Sequence, residues 1–416
     1  MKSDRNPPTR LKWHDGPAKI RAREILIIAL LKGVPARTTK VVTVGGVLRR
    51  EEMDIVLNPH DSKAIEAADY VRRRVGGKTI ALSMGPDIKL SPLIKPLYRA
   101  EVFGVDEAFI LSDRKMAGAD TLATSYAVSL GVKKVLERHV KPLDELVSLI
   151  KSGASADSVA TRAKELYEQN LIPNVVYSQL PAVRDSAVER FASGSVSAAR
   201  AVEILEGVKT GYSSFVIVSG IKTTDGETGS VGPQVAESLS ESMGVDFPHL
   251  TYVEDFEIDP ATLLIEAERK IGRLVQKVEL QCPALLTISP EYAPRPPGPS
   301  NQVSVRANSF RGKTPVPMKW TAEELNADPA RLGLAGSPTI VGPGVDIGKP
   351  PVQKIIGKSI VFTKRVEKFS NGGVDYGPYD AGDLAQALPE AVFADLKARG
   401  LLGTFTFQMF ERELFQ

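Results

Sequence analysis

Seven consecutive apolar residues, Ile25 to Leu31, closed by Lys32, place the first constraint on this chain. The run is far shorter than the roughly 18 residues a membrane helix needs, so it belongs inside a folded domain and not in a bilayer. Arg21 and Arg23 precede it as they would in a signal peptide, but no A-x-A cleavage pattern follows. From this run onward strands and helices alternate. The spacing predicts a helix from about Asp61 to Val75, a strand over 79–84, a helix near 91–102 and a strand over 107–111. That alternation is the pattern of a parallel α/β sheet. In the first helix Ala64, Ile65, Ala68, Val71 and Val75 fall on one face. Arg72 to Arg74 suit its negative end, and Gly76 and Gly77 stop it.

Length and composition narrow the class. The 416 residues leave room for two or three domains, or one with insertions, and 43% hydrophobic with 25% charged residues is an ordinary globular mixture. A net charge of +3, from 53 basic and 50 acidic residues, is no nucleic-acid footprint. The single cysteine, Cys282, allows neither an internal disulfide nor a thiolate metal site, and the expected setting is reducing and cytoplasmic.

Residues 1–24 carry seven Lys/Arg and read as an N-terminal arm. The α/β domain is expected over 25–345. A helix after Asp120 has Leu122, Ala123, Tyr126, Ala127, Leu130 and Val135 on its apolar face, and an Ala-, Ser- and Leu-rich stretch, 140–208, reads as a helical insertion. The α/β alternation resumes with a strand over 215–219, a helix over 231–243 and strand-like stretches at 249–255, 262–268 and 274–288. Five prolines between Pro290 and Pro299 impose an extended loop. Residues 346–416 form a C-terminal arm with a helix near Pro389 to Arg399, and its Phe405, Phe407, Phe410 and Phe415 call for packing on this core or on a partner.

Three loops follow strands where α/β sheets gather ligands. Asn58 to Asp61 (NPHD) precedes a helix, and helix capping accounts for it when taken alone. Leu111 to Ser125 places Asp113, Arg114, Asp120, Thr121 and Thr124 between a strand and a helix N-terminus, a turn-and-cap arrangement or a loop shaped around a polar ligand. Ser219 to Pro233 combines Gly220, Gly226, Gly229 and Gly232 with Thr228 and Ser230 before a helix, an anion cradle suited to phosphate. It is neither a Walker motif nor GxGxxG. His14, His60, His139 and His249 are scattered, and no HExxH, CxxC or GxSxG pattern supplies hydrolase or metal chemistry.

These segments resemble the β subunit of electron transfer flavoproteins. The ordered set is KGVP at Lys32 to Pro35, NPHD, MGP at Met84 to Pro86, LSDR with GADTLATS, DGETGSVGP, TYVED at Thr251 to Asp255, PALLT at Pro283 to Thr287, and LGLAGSPT at Leu332 to Thr339. The resemblance implies a doubly wound, mostly parallel Rossmann-like sheet. It implies a heterodimer with an α subunit that holds its own FAD, and an adenine nucleotide bound by this chain. That nucleotide is AMP in ordinary members and, in electron-bifurcating members, FAD that takes a hydride from NADH. The form of the second loop favours FAD. By position, Leu30, Lys32, Asn58, His60, Asp61, Met84 and Gly85 would line the adenosine, and Gly220, Asp225, Gly226, Thr228, Gly229, Ser230 and Val231 the phosphates. Asp113, Arg114, Asp120, Thr121 and Thr124 would face the flavin or its ribityl chain. No catalytic side chain is required, because the flavin carries the chemistry.

Several positions depart from the family pattern. Ala36 replaces an Asp, and Lys222 with Thr223 replaces Gln-Ala, which puts a cation near the proposed phosphates or flavin. The insertion is extra, and the partner loop at 291–313 is longer and Pro-rich, with Arg306, Arg311 and Lys313 in place of a lysine run. A dehydrogenase other than an acyl-CoA dehydrogenase, or an iron–sulfur or membrane-associated carrier, becomes the expected partner in an oxidoreductase complex. The alternatives are an ordinary β subunit with structural AMP and a non-redox nucleotide-binding regulatory module.

Overall fold

The computed structural model describes residues 24–36, 43–44, 47–48, 54–95, 97, 104–173, 198–293 and 316–339, with short pieces at 359–361, 367–370, 373–375 and 397–398. The N-terminal arm, the Pro-rich partner loop and the phenylalanines of the C-terminal arm lie outside the described residues. So does most of the helix expected near 389–399, of which 397–398 are helical. The chain divides into two compact units, Met1–Gly342 and Pro343–Gln416.

In the first unit β1 (Ile25–Leu31) is followed by β2 (Gly33–Pro35), β3 (Thr43–Val44), β4 (Val47–Leu48), β5 (Ile55–Leu57), α1 (Pro59–Val75), β6 (Gly77–Met84), α2 (Asp87–Ile94), β7 (Glu107–Leu111) and α3 (Thr121–Lys151). Then come α4 (Ala156–Glu168), α5 (Ala198–Ser213), β8 (Val216–Gly220), α6 (Val231–Met243), β9 (His249–Ile258), β10 (Leu264–Ile271), β11 (Leu274–Gln281), β12 (Ala284–Ile288) and β13 (Met318–Trp320). The second unit contributes β14 (Ser359–Val361), β15 (Glu367–Ser370) and β16 (Gly373–Asp375), a small antiparallel sheet.

Nine strands of the first unit form one sheet in the order β11-β10-β9-β12-β8-β1-β6-β7-β13. β10 runs antiparallel to β9 and β11, and every other pairing in this sheet is parallel. The sheet is therefore doubly wound and mostly parallel. From β1 the chain winds outward to β6 and β7, then returns through α3, α4 and α5 to place β8 on the other flank of β1. The order reverses between β1 and β8, and a crevice outside their carboxyl ends is the expected ligand position in such a sheet.

All seven residues of β1 are buried, because helices cover both sides of it. Leu26, Ile28 and Leu30 pack with α3, α5 and α6, whereas Ile25, Ile27, Ala29 and Leu31 pack with α1 and α2. Each leucine or isoleucine so buried contributes roughly 1.5–3 kcal/mol relative to exposure.

The structure shifts several expected boundaries. The helix expected over 91–102 begins at Asp87, its described part ending at Ile94. The stretch 274–288 is two strands, β11 and β12, divided at Cys282 and Pro283, and the first of them pairs in an antiparallel hairpin that breaks the parallel pattern. α3 passes residue 140 and Pro142 without interruption, so residues 140–151 continue the helix that starts at Thr121. Leu143, Leu146 and Val147 join the same core as Leu205 and Val208 of α5.

Candidate functional site

The first and third loops meet at the reversal between β1 and β8. The Lys32 N–H donates to Asp61 Oδ2 at 2.7 Å, and the Asn58 side-chain amide donates to Asp61 Oδ1 at 2.8 Å and to the Lys222 carbonyl at 2.9 Å. The Lys32 ammonium reaches both Asp225 oxygens, at 2.8 and 2.9 Å. Asn58 makes no side-chain cap on α1, so the capping expectation for NPHD is corrected. Its amide is drawn away because the buried Asp61 carboxylate and an inter-loop carbonyl lie within reach. That one side chain ties the end of β5 to the loop after β8.

Gly220 is required by this closeness. A Cβ there would lie 2.6 Å from Asp61 Oδ1 and 2.7 Å from the His60 carbonyl carbon. Burial pushes the Asp61 carboxyl up to about 7, even though the Lys32 N–H, the Asn58 amide, the Gly220 N–H and the Lys32 charge all act to lower it. Asp225 behaves in the opposite way. Burial acts to raise its carboxyl, and the Lys32 ammonium, with Thr223 and the Gly226 N–H, outweighs that and holds it below the ordinary value.

Beyond this knot, Glu227 and Gly229 adopt positive φ of 51° and 65°, and the loop runs into α6, whose first residue is Val231. Ser230 at its N-cap makes no side-chain cap bond. The helix packs tightly on the sheet, since a Cβ on Gly232 would fall 2.6 Å from Thr287 Cγ2 and 3.3 Å from Ser219 Oγ. Ser219 Oγ is buried and has no hydrogen-bond partner, and Asn58 Oδ1 and Ser83 Oγ are in the same condition. All three sit at or beside the carboxyl ends of the central strands. Unspent polar atoms there, next to uncapped helical N–H groups, suit a phosphate-bearing ligand better than an apolar one.

The second loop is placed beside α6 but is used differently. Ser125 Oγ donates to the Thr121 carbonyl at 2.7 Å and lies 3.3 Å from both the Val231 carbonyl and Gln234 Oε1, which brings the starts of α3 and α6 together. Asp120 caps α3 through the Leu122 and Ala123 N–H groups and also accepts from the Thr339 N–H at 3.1 Å. Asp113 accepts from the Lys115 and Ala322 N–H groups. These bonds lower the Asp113 carboxyl, and for Asp120 they outweigh the opposing effect of burial. Both carboxylates therefore brace the segment 321–339 against this loop. Arg114 is exposed, and Thr121 and Thr124 are half-buried on the first turn of α3.

Of the remaining expected residues, Leu30 is buried at the end of β1, and Met84 and Gly85 close β6, where the Gly85 N–H bonds the Leu111 carbonyl. His60 stands behind Gly220, while Gly226 and Thr228 are exposed. Sequence reasoning passed over Ser219, Thr287, Ser125 and Ser337. The available signal was a hydroxyl residue at the end of an otherwise apolar strand, as in VIVS and LLT.

A doubly wound sheet with these loops at its carboxyl ends defines a Rossmann-like α/β protein. The electron transfer flavoprotein domain family matches residues 45–141. The chain is 27% identical to an electron transfer flavoprotein subunit beta of Clostridium acetobutylicum, covering 82% of this chain and 93% of that one. It is 27% identical to Protein FixA of Bradyrhizobium diazoefficiens over 76% of this chain and 80% of that one. It is also 25% identical to subunit CarD of the caffeyl-CoA reductase-Etf complex of Acetobacterium woodii, over 76% and 81%. Over most of its length the chain is thus similar to electron transfer flavoprotein β-type proteins, a likeness that supports an electron-transfer role. Among the described residues no helix is long and apolar enough to cross a membrane.

Proposed function

We propose that this chain is the nucleotide-holding β subunit of a heterodimeric electron carrier, paired with an α subunit, and that its ligand is FAD. The observation that carries this is the meeting of Lys32, Asn58, Asp61, Gly220 and Asp225 at the reversal between β1 and β8, beside Ser219 and the uncapped start of α6. Bound there, FAD would supply two-electron acceptance from NADH and one-electron donation to a redox partner, the chemistry of bifurcation. The chain's own work is to bind and orient. Ser219, the Val231 and Gly232 N–H groups and the positive end of α6 would hold phosphate. Leu30, Met84, Gly85 and His60 would border the adenosine, and Arg114, Thr121 and Thr124 the flavin. Asp61 is neutral over most of the range below pH 7, which limits negative charge behind the phosphates. The relative named as a subunit of a caffeyl-CoA reductase-Etf complex supports an oxidoreductase complex as the setting.

A second reading is favoured by one observation. With Asp113 and Asp120 spent on backbone N–H groups, the second loop offers the flavin fewer polar side chains, and the structure also suits AMP with the α subunit carrying the only flavin.

Releasing the nucleotides of the purified complex with acid and counting them by chromatography separates the two. More than one FAD per αβ pair without AMP supports the proposal, and FAD matched by AMP supports the second reading. Absence of any adenine nucleotide removes both. In the same assay Thr228→Ala with Ser230→Ala should lower nucleotide per chain and leave the thermal midpoint of the ligand-free protein unchanged. Undiminished nucleotide would take the loop after β8 out of the site.

A further inference from the structure

The amino ends of the strands, opposite the candidate site, carry a second buried polar cluster. Lys78 at the start of β6 and Glu107 at the start of β7 are 8% and 5% exposed and pair at 3.2 Å. The turn that follows α4 closes on them. Asn170, at a positive φ of 59°, accepts from the Lys78 ammonium through its backbone carbonyl and, at 3.0 Å, through its side-chain oxygen, and its amide donates to Glu107 Oε1 at 3.2 Å. Next to this turn stands His139 of α3, fully buried. Neither ring nitrogen makes a well-aligned hydrogen bond, although Glu107 Oε1 is 3.4 Å from Nε2 and the Leu171 backbone approaches the ring. The ring meets Tyr212 of α5 edge-on, and the buried Tyr212 hydroxyl has no partner either.

The charged groups around the imidazole are Lys78 from β6, Glu107 from β7 and Arg138 from α3 itself, whose Nε lies 3.4 Å from the second Glu107 oxygen. Glu24 before β1 and Asp106 before β7 complete the set on the Tyr212 side. Two cations thus already share the Glu107 carboxylate, and a charge on His139 would have neither a free counter-ion nor water. Burial and those two cations hold the imidazole well below its ordinary value, so it is neutral. With the turn lifted, the ring would meet water and regain its basicity. We infer that the turn at Asn170 and Leu171 is a latch, which fastens α4 to the sheet over a neutral His139 and is released when that imidazole takes a proton. Glu24 does not supply this response. Burial raises its carboxyl to about 6, so acid favours its buried, protonated form, and its backbone lies against Gly211 of α5.

Hydrogen exchange of the full chain in its purified complex, corrected for the intrinsic rate at each pH, tests the latch. From pH 7.5 to pH 5.5 protection over residues 156–168 should fall about tenfold, the linkage for a histidine that binds its proton only when open, with the ordinary value of 6.5, while β1 and β6 keep theirs. Asn170→Gly retains the left-handed turn and deletes the side-chain bonds, so it should lower the same protection about fivefold at pH 7.5 and leave nucleotide content unchanged. His139→Gln should flatten the pH response. If that variant does not fold, the parent and Asn170→Gly decide, since both must show the tenfold fall. Protection of α4 that is level between the two pH values, that falls only in step with β1 and β6, or that Asn170→Gly leaves unmoved overturns the inference.

Discussion

Gly220→Ala should lose most of its nucleotide and unfold more easily than the parent, by about 1–3 kcal/mol, the usual cost of forcing a methyl into a filled interior. The methyl would stand 2.6 Å from an Asp61 oxygen and 2.7 Å from the His60 backbone. Neither is the free end of a flexible side chain: Asp61 is held by the Lys32 N–H and the Asn58 amide, and the His60 backbone belongs to the first turn of α1. Relief therefore requires α1 and the end of β8 to separate, which would pull Asn58 off the Lys222 carbonyl and release the loop after β8. Denaturant melts together with nucleotide content check this. A variant that keeps both its midpoint and its nucleotide would show that the two loops are not packed as described.

The second large effect concerns Asp61. Asp61→Asn preserves the shape but replaces one acceptor by a donor, so either the Lys32 N–H or the Asn58 amide loses its partner in a buried place, at a cost of roughly 1–3 kcal/mol. The size of the gap between parent and variant should depend on pH. The folded carboxyl titrates near 7 and the free one near 3.8. Below both values the proton is bound in both states, and the parent keeps the full benefit of a neutral buried acid. As pH rises from about 4 to about 7 the unfolded chain releases its proton while the folded chain retains it, so the parent's advantage shrinks, and above that it is constant. Stability of both proteins measured between pH 4 and 8 gives the answer. A gap that stays flat or widens with pH would mean that Asp61 is not held protonated by burial.

Much of the fold is readable from local pattern. β1, α1, β6, β7 and α6 follow from apolar runs, helical spacing and glycine stops within a few residues of one another. What local pattern misses depends on distant partners. Asp113 and Asp120 are the turn and cap residues that local pattern offers, but the second N–H group each serves, on Ala322 and Thr339, lies more than two hundred positions downstream and is invisible to it. Asn58 looks like a cap because its true acceptor on Lys222 comes from another loop. The break between β11 and β12 hides in a continuous strand-like stretch, and the pairing of β11 with β10 is not announced, since residue choice does not say which neighbour a strand will take. The cradle after β8 is the clearest in the sequence, because glycines, hydroxyls and a helix start are all local.

A strand buried on both faces has a difficulty with depth. In a half-buried strand a slip of one residue turns apolar side chains to water and is rejected at once, but in β1 either face accepts leucine and isoleucine equally well. Its position must be gauged from its ends. Glu24, whose carboxyl burial already pushes up to about 6, stands at one end, and Lys32, clasped to Asp225, stands at the other. Sliding the strand in either direction would drag one of these charges between the layers. The pair acts as a stop at each end of a uniform rod, and any redesign or recombination of this sheet that keeps β1 apolar but discards its two charged ends would give up the register on which every loop of the candidate site depends.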